Sequence, residues 1–526
     1  MLDRATKILL EIGALAVVLV ALPYKLFELD RYFVPKEFAL HIVALLALIT
    51  LFARGRSAEF DRIDGLIALF LLWSAGSALF ATNHWLAQRS FAITLSGAIL
   101  FWATRKSGIS TSYRGVLVAC AGAGVVAAAT SLVQAYGLET EYFSTNRAPG
   151  GTFGNRNFVA HIAVITLPAL VWSTVTARKQ AGALIGSFGV AIVSAALVLS
   201  RSRAAWLALA ASALVLLWPM LASRKYWSGA HVGGRFARLC LAAVVGAIIA
   251  VVLPNSLNWN SDSPYLDSAR KMVDYKSGSG RGRVAQYENS LYMSMANPIF
   301  GVGPGNWPVQ YVRFAPTNDR SLTDDGMTAN PWPSSDWVAF MSERGFVAAI
   351  ALLAALALLF MKSLRRWREL GDGDAVLAQL VLAGTIVTTM VVSSFDAVLL
   401  LAAPAFLFWS IAGATSGIRG ATPESKLRPS PRGWTIGAVV VAVLTVIAVA
   451  RSATEVQAMT AVGRGGKTSG WVAGASWDPG SYRINARVAE FYRRRGRCQT
   501  ALSYAKRAAA LFPHARAPRN VINSCE

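Results

Sequence analysis

Six arginines flank apolar segments where a positive charge is costly: Arg147, Arg156, Arg201, Arg203, Arg281 and Arg283. Arginine stays ionised in any protein environment, and its fork of donors matches phosphate oxygens. An ionised group near membrane depth usually faces a cavity. One such arginine alone is accounted for by snorkelling to headgroups or by binding carbonyls. Three separate segments that all deliver arginine to one face point to an anion site, with a lipid phosphate or pyrophosphate as the anion. Carboxylates for proton work lie close by in sequence: Asp325 in TNDRSLTDDG, and Asp336 and Glu343 in SDWVAFMSERG. The TNDRSLTDDG run lacks the D-x-D-x-D-G register of a cation loop, so no metal is expected. His161, on an apolar helix, reads as a core residue, and His84, beside Trp85, as an interfacial one. Trp307, Trp332 and Trp337 could stack on sugar faces or anchor a loop at the interface.

These groups need a scaffold, and composition defines it. The chain has 526 residues, 54% hydrophobic and 15% charged, with a mean hydropathy of +0.45. A soluble chain of this length carries more charge, so this is an integral membrane protein. Its apolar runs are continuous for about 17–25 residues, which suits helices and not a barrel. Candidate spans are roughly 8–27, 38–54, 64–82, 90–104, 115–136, 157–177, 182–200, 204–222, 237–254, 335–361, 375–395, 397–416 and 434–450. The expected fold is an all-α polytopic membrane protein of about 12–13 transmembrane helices. Its domains are N-terminal transmembrane helices (1–255), a large loop (256–334), C-terminal transmembrane helices (335–450) and a helical tail (451–526).

The net charge of +23 suggests nucleic acid, but its placement excludes that partner. Lysine and arginine cluster in alternate short loops, including Arg54, Arg56, Arg105, Lys106, Arg178, Lys179, Lys362, Arg365, Arg419, Lys426 and Arg428. The positive-inside rule puts those loops in the cytoplasm, against a lipid bilayer. Loop 137–157, the Arg201–Arg203 turn, loop 256–334 and the tail then share the outer face, where Lys25, Arg31 and Lys36 read as interface anchors.

The tail's small and apolar residues, Ala486, Ala489, Gly496, Ala501, Ala505 and Ala508, are spaced like one tetratricopeptide-like hairpin. One repeat cannot bury its own face, so it should pack on the membrane domain or on a protein partner. In an oxidising compartment Cys498 and Cys525 could staple it. Cys120 and Cys240 lie within apolar runs as packing residues.

Four blocks in order resemble the O-antigen ligase and polymerase superfamily of membrane glycosyltransferases. GTFGNRNFVAHI (151–162) looks like its GTFGNPNFLA signature, and SRSRAAWLAL (200–209) is similar to its SRGAWLAL element. GRVAQYENSLYMSMANPIFGVGPGNW (282–307) and SDWVAFMSERG (335–345) resemble its last two blocks. The resemblance implies a GT-C-like enzyme of the bacterial inner (cytoplasmic) membrane, active on the periplasmic face and without cofactor. It would move a glycan from undecaprenyl pyrophosphate to an acceptor hydroxyl on a glycan, a lipid A core or a protein. Arg203 and Arg283 match the family's phosphate-gripping arginines, with Arg156, Arg201 and Arg281 nearby. Fixed cations stabilise the charge that builds on the departing phosphate.

The family's presumed base is a histidine, and its position here is occupied by Ser334. Serine cannot take a proton unaided at neutral pH. Asp336 is the expected substitute, with Glu343 and Asp325 as the other nearby acids, since an oxocarbenium-like transition state needs modest base help. Asp336 could equally cap the helix beginning near Trp337. The alternatives are a protein O-oligosaccharyltransferase of the same fold and a non-catalytic assembly subunit for lipid-linked glycans. A flippase ranks last, because the spans are nearly free of internal charge.

Overall fold

The structure is a computed structural model that describes residues 2–53, 60–108, 113–227, 230–259, 261–270, 278–418, 431–465 and 468–526. Of the basic loop residues, Arg54, Arg56, Arg419, Lys426 and Arg428 lie outside the described residues. Long uninterrupted apolar runs leave the backbone no partner but itself, so the chain folds into helices. The described residues contain no named strand, only an isolated bridge between Leu322 and Thr328.

The N-terminal half supplies α1 (Leu2–Leu19), α2 (Asp30–Ala53), α3 (Arg62–Ala78), α4 (His84–Gly108) and α5 (Tyr113–Ala135). It continues with α6 (Arg156–Val175), α7 (Gln180–Ser200), α8 (Arg203–Ala222), the single turn α9 (Arg224–Trp227) and α10 (Ala230–Val252). The large loop carries α11 (Pro264–Arg270), α12 (Gly278–Ala296) and α13 (Trp307–Gln310). Then come α14 (Asp336–Arg366), α15 (Gly373–Ser393), α16 (Ala402–Ser416) and α17 (Pro431–Gly465). The tail is α18 (Thr468–Trp477), α19 (Tyr482–Arg494), α20 (Cys498–Leu511) and α21 (Arg516–Cys525).

All thirteen apolar segments form helices, and among the described residues ten of them are long and apolar enough to cross a membrane. The other three are α1, whose first turns carry Asp3, Arg4, Lys7 and Glu11, and the 17- and 15-residue α3 and α16. Helix α16 is the axis of the bundle: every one of its residues is buried. It packs on α4, α5, α6 and α15, whereas α10 and α17 lie at the periphery with most of their surface uncovered. Because α16 is short, the α15–α16 connector is drawn into the bundle and brings Asp396 with it.

The third and fourth sequence blocks are bound backbone to backbone. The amides of Val302 and Gly303 donate to the carbonyls of Ser342 and Glu343 at 3.0 and 2.8 Å, and Phe346 N donates to Pro298 O at 2.9 Å. This approach requires glycine at 345, where φ is +79° and an added Cβ would lie 2.0 Å from Ile299 O. Helix α14 bends there.

The tail is fixed to the end of the bundle that carries the large loop. Asp325 of the large loop accepts the Tyr482 hydroxyl at 2.7 Å and Ala517 N at 2.6 Å, and its carbonyl accepts Arg516 N at 2.9 Å. Asn83 donates to Leu511 O at 3.2 Å, and Arg483 to Leu26 O at 2.5 Å. A disulfide joins Cys498 to Cys525.

Candidate functional site

The GTFGNRN loop is held from below by residues that looked like surface anchors. Lys36 is buried and donates to Val18 O and Val20 O at 3.1 and 2.5 Å, with Phe153 under its ammonium at 4.5 Å. Thr152 donates to the same Val18 carbonyl at 2.7 Å, so the last carbonyls of α1 are capped from two directions. Arg31 is also buried and donates to Glu141 O and Phe143 O at 2.7 and 3.3 Å. Lys36 and Arg31 are therefore interior ligands of carbonyls, not interface anchors. On this base Asn155 caps α6 by accepting Asn157 N at 3.0 Å, which fixes where Arg156 and Asn157 emerge.

Arg156 and Arg201 meet over one ring. Their guanidinium carbons lie 5.0 and 4.6 Å from the centre of Trp259, whose buried indole N–H has no hydrogen-bond partner among the described residues. Arg147 is the further cation whose charge bears on Arg156. Arg201 occupies a left-handed turn (φ +53°) and donates from Nε to Ser268 Oγ at 2.8 Å. Burial presses its pKa down, while Asp267 and Tyr265 pull the other way. Arg203, half-buried, opens α8 as Arg156 opens α6, so two helix N-termini add their dipoles to the same cations. Like charges so placed favour an anion between them.

A second group adjoins the first through α6. Asn157 Nδ2 is 3.5 Å from Asp396 Oδ2. Asp396 and Arg283 are the charged groups that bear on both His161 and Tyr287. Burial pushes the Tyr287 phenol up to about 12 against the pull of Arg283, with Asp396 adding to the rise. It therefore remains a neutral donor at physiological pH, positioned for Ser334 O and Ser394 O, both 2.7 Å away. His161 is buried with both ring nitrogens unpartnered among the described residues. Arg281, on the same helix as Arg283, is exposed.

The acids singled out in the sequence are engaged elsewhere. Asp336 is fully buried and accepts Val398 N at 2.9 Å and Leu399 N at 2.6 Å, which pins the connector that bears Asp396. It caps that connector rather than its own helix. Glu343, also buried, accepts Gly305 N at 2.8 Å and Trp307 N at 3.2 Å and so holds the Gly-Pro-Gly turn. Ser334 is held through its backbone, its amide donating to Gln286 Oε1 at 2.9 Å. Asp325 docks the tail. The carboxylate that shares His161 and Tyr287 with Arg283 is Asp396, half-buried, with Oδ1 accepting Ala397 N at 2.9 Å. Its sequence signal is plain in retrospect: it is the only charged residue between 375 and 416.

The tryptophans are sorted as well. Trp307 is fully buried against Tyr311 at 4.5 Å and offers no free face for a sugar, while Trp332 is half-buried and packs edge-on to Phe33 at 5.2 Å. Trp337 donates to Met390 O at 3.3 Å. Below the cations, an apolar cavity of about 260 Å3 lies between α6, α8, α10 and α15, lined by Leu167, Trp172, Leu209, Leu216, Phe236 and Val381.

The chain is an all-α polytopic membrane protein that gathers arginines and carboxylates at one end of its bundle. Residues 188–353, from within α7 to within α14, match the family model described as O-Antigen ligase. That stretch includes Arg201, Arg203, Trp259, Arg281 and Arg283, and stops short of Asp396. The helical tail lies beyond it. No curated protein matches the chain.

Proposed function

We propose that this protein is a glycosyltransferase that moves a glycan from undecaprenyl pyrophosphate to an acceptor hydroxyl at the periplasmic face of the bacterial inner membrane. The observation that carries the reading is the adjacency of two groups: cations around Trp259, and Arg283 with Asp396 across Asn157. The pyrophosphate would sit against Arg156, Arg201, Arg203 and Arg283. As the anomeric carbon–oxygen bond breaks, its electron pair goes to the pyrophosphate oxygen, where fixed guanidinium groups stabilise the growing charge. The acceptor oxygen bonds to the anomeric carbon and gives its proton to Asp396, the role that the sequence assigned to Asp336. No residue in this scheme requires a metal.

The test uses purified full-length protein in nanodiscs with a lipid-linked glycan and candidate acceptors, reading release of undecaprenyl pyrophosphate. Arg283→Ala should lower release by about 10²–10³-fold, the usual effect of removing one preorganised charge-stabilising donor, while the thermal unfolding curve stays in place. Normal turnover in that variant would remove the anion-site reading. If the unaltered protein releases no pyrophosphate with any acceptor, the non-catalytic assembly role takes its place.

A further inference from the structure

The tail contains a cleft that the transfer scheme leaves unused. It lies between α18 and the α19–α20 hairpin, has a volume of about 470 Å3, and is lined by Thr468, Ser469, Ser476, Tyr492, Tyr504 and Arg507. That size is within the range of small-ligand sites, about 300–1,000 Å3. The rings of Tyr492 and Tyr504 are parallel to within 14°, with centroids 6.2 Å apart. Arg507 is exposed and stands 5.5 Å over Tyr504.

We propose that this cleft binds a carboxylate-bearing oligosaccharide. Tyrosine rings in the cleft wall suit the apolar surface of a pyranose, and three hydroxyl side chains supply donors and acceptors for sugar hydroxyls. Arg507 is placed to pair with a carboxylate. Charge points the same way: residues 468–526 hold ten lysines and arginines against three acids. The walls are helical, so they offer no free backbone edge on which an extended peptide could add as a strand. The cleft is also held rigidly. The Cys498–Cys525 disulfide ties α20 to α21, and Asp325 ties α19 and α21 to the outer-face loop, so a bound chain lies on the same face as the arginine site. Binding at this cleft does not depend on the transfer chemistry proposed above.

The experiment is calorimetric titration of full-length, disulfide-intact protein in nanodiscs with oligogalacturonate, maltooligosaccharide and polyglutamate. Oligogalacturonate should bind, and both Arg507→Ala and the cleft-filling Ser476→Trp should weaken it by roughly tenfold or more, the loss expected for a charge-assisted hydrogen bond. Arg494→Ala, an exposed arginine outside the cleft, should leave the Kd unchanged. Thermal unfolding of each variant confirms that the tail is folded. Arg283→Ala protein, inactive in transfer, should retain the wild-type Kd, which separates failure of this site from failure of the transferase. No binding of oligogalacturonate, equal loss in Arg494→Ala, or equal affinity for polyglutamate would each overturn the proposal, the last in favour of an acidic peptide.

Discussion

Two carboxylates sixty residues apart in sequence exchange the roles that their positions suggest, and substituting each by its amide separates them. Asp336 accepts one backbone amide on each oxygen, at 2.9 and 2.6 Å, in full burial. In Asp336→Asn one of those amides faces an NH2 group instead of an acceptor. A charge-assisted bond is lost and a buried N–H is orphaned; relief of the buried charge offsets part of the cost, leaving a loss of about 1–3 kcal/mol. Asp396 is half-buried and, among the described residues, accepts its neighbour's amide and, at 3.5 Å, Asn157. Asp396→Asn preserves that shape and should change stability by no more than about 0.5 kcal/mol, while loss of a general base lowers turnover by about 10²–10⁴-fold. Unfolding in detergent followed by tryptophan fluorescence, together with release of undecaprenyl pyrophosphate, reads both effects. Wild-type turnover in Asp396→Asn would refute the assignment. So would an Asp336→Asn protein that is fully stable yet inactive.

Arg89 donates to both oxygens of Glu37 at 2.7 and 2.8 Å and lies 3.9 Å from Glu455, joining α2, α4 and α17. Arg89→Leu leaves the two buried acids without their shared cation and should cost about 3–5 kcal/mol, seen as a lower unfolding midpoint; an unchanged midpoint would show that the cluster holds nothing together. The Cys498–Cys525 disulfide closes a separation of 27 residues, so Cys498→Ser should destabilise the tail by about 3–4 kcal/mol on the chain-entropy account, visible as faster proteolysis after α17. Equal proteolysis rates would contradict it.

The sequence reveals the bundle because apolar run length is read directly by the bilayer. All thirteen segments appear as helices, and Arg156 and Arg201, far apart in sequence, share the ring of Trp259. What hydropathy cannot encode is which polar atom meets which backbone amide. Asp336 sits where a helix cap is expected, yet its partners are 62 and 63 residues ahead. Lys36 has the composition of an anchor and the geometry of a cap. Trp259, the ring shared by Arg156 and Arg201, lies in a loop without periodicity and gives no signal, whereas the three conspicuous tryptophans pack inward or bond to backbone. Asp396 is hidden for a simple reason: a single acid between two apolar runs reads as a turn.

The lysine that closes the end of the first helix has a consequence for biogenesis. An ammonium on its own in a membrane helix is penalised by about 2.5–3.5 kcal/mol, yet the carbonyls that satisfy Lys36 belong to Val18 and Val20, which leave the ribosome before it. The first hairpin can therefore enter the lipid with its charge already neutralised by dipoles from the preceding segment. Thr152 and Phe153, synthesised more than a hundred residues later, close over a joint that no longer needs them for insertion. The order of the chain thus lets a costly residue cross into the bilayer under escort, and leaves it in place as the footing on which the GTFGNRN loop is later laid.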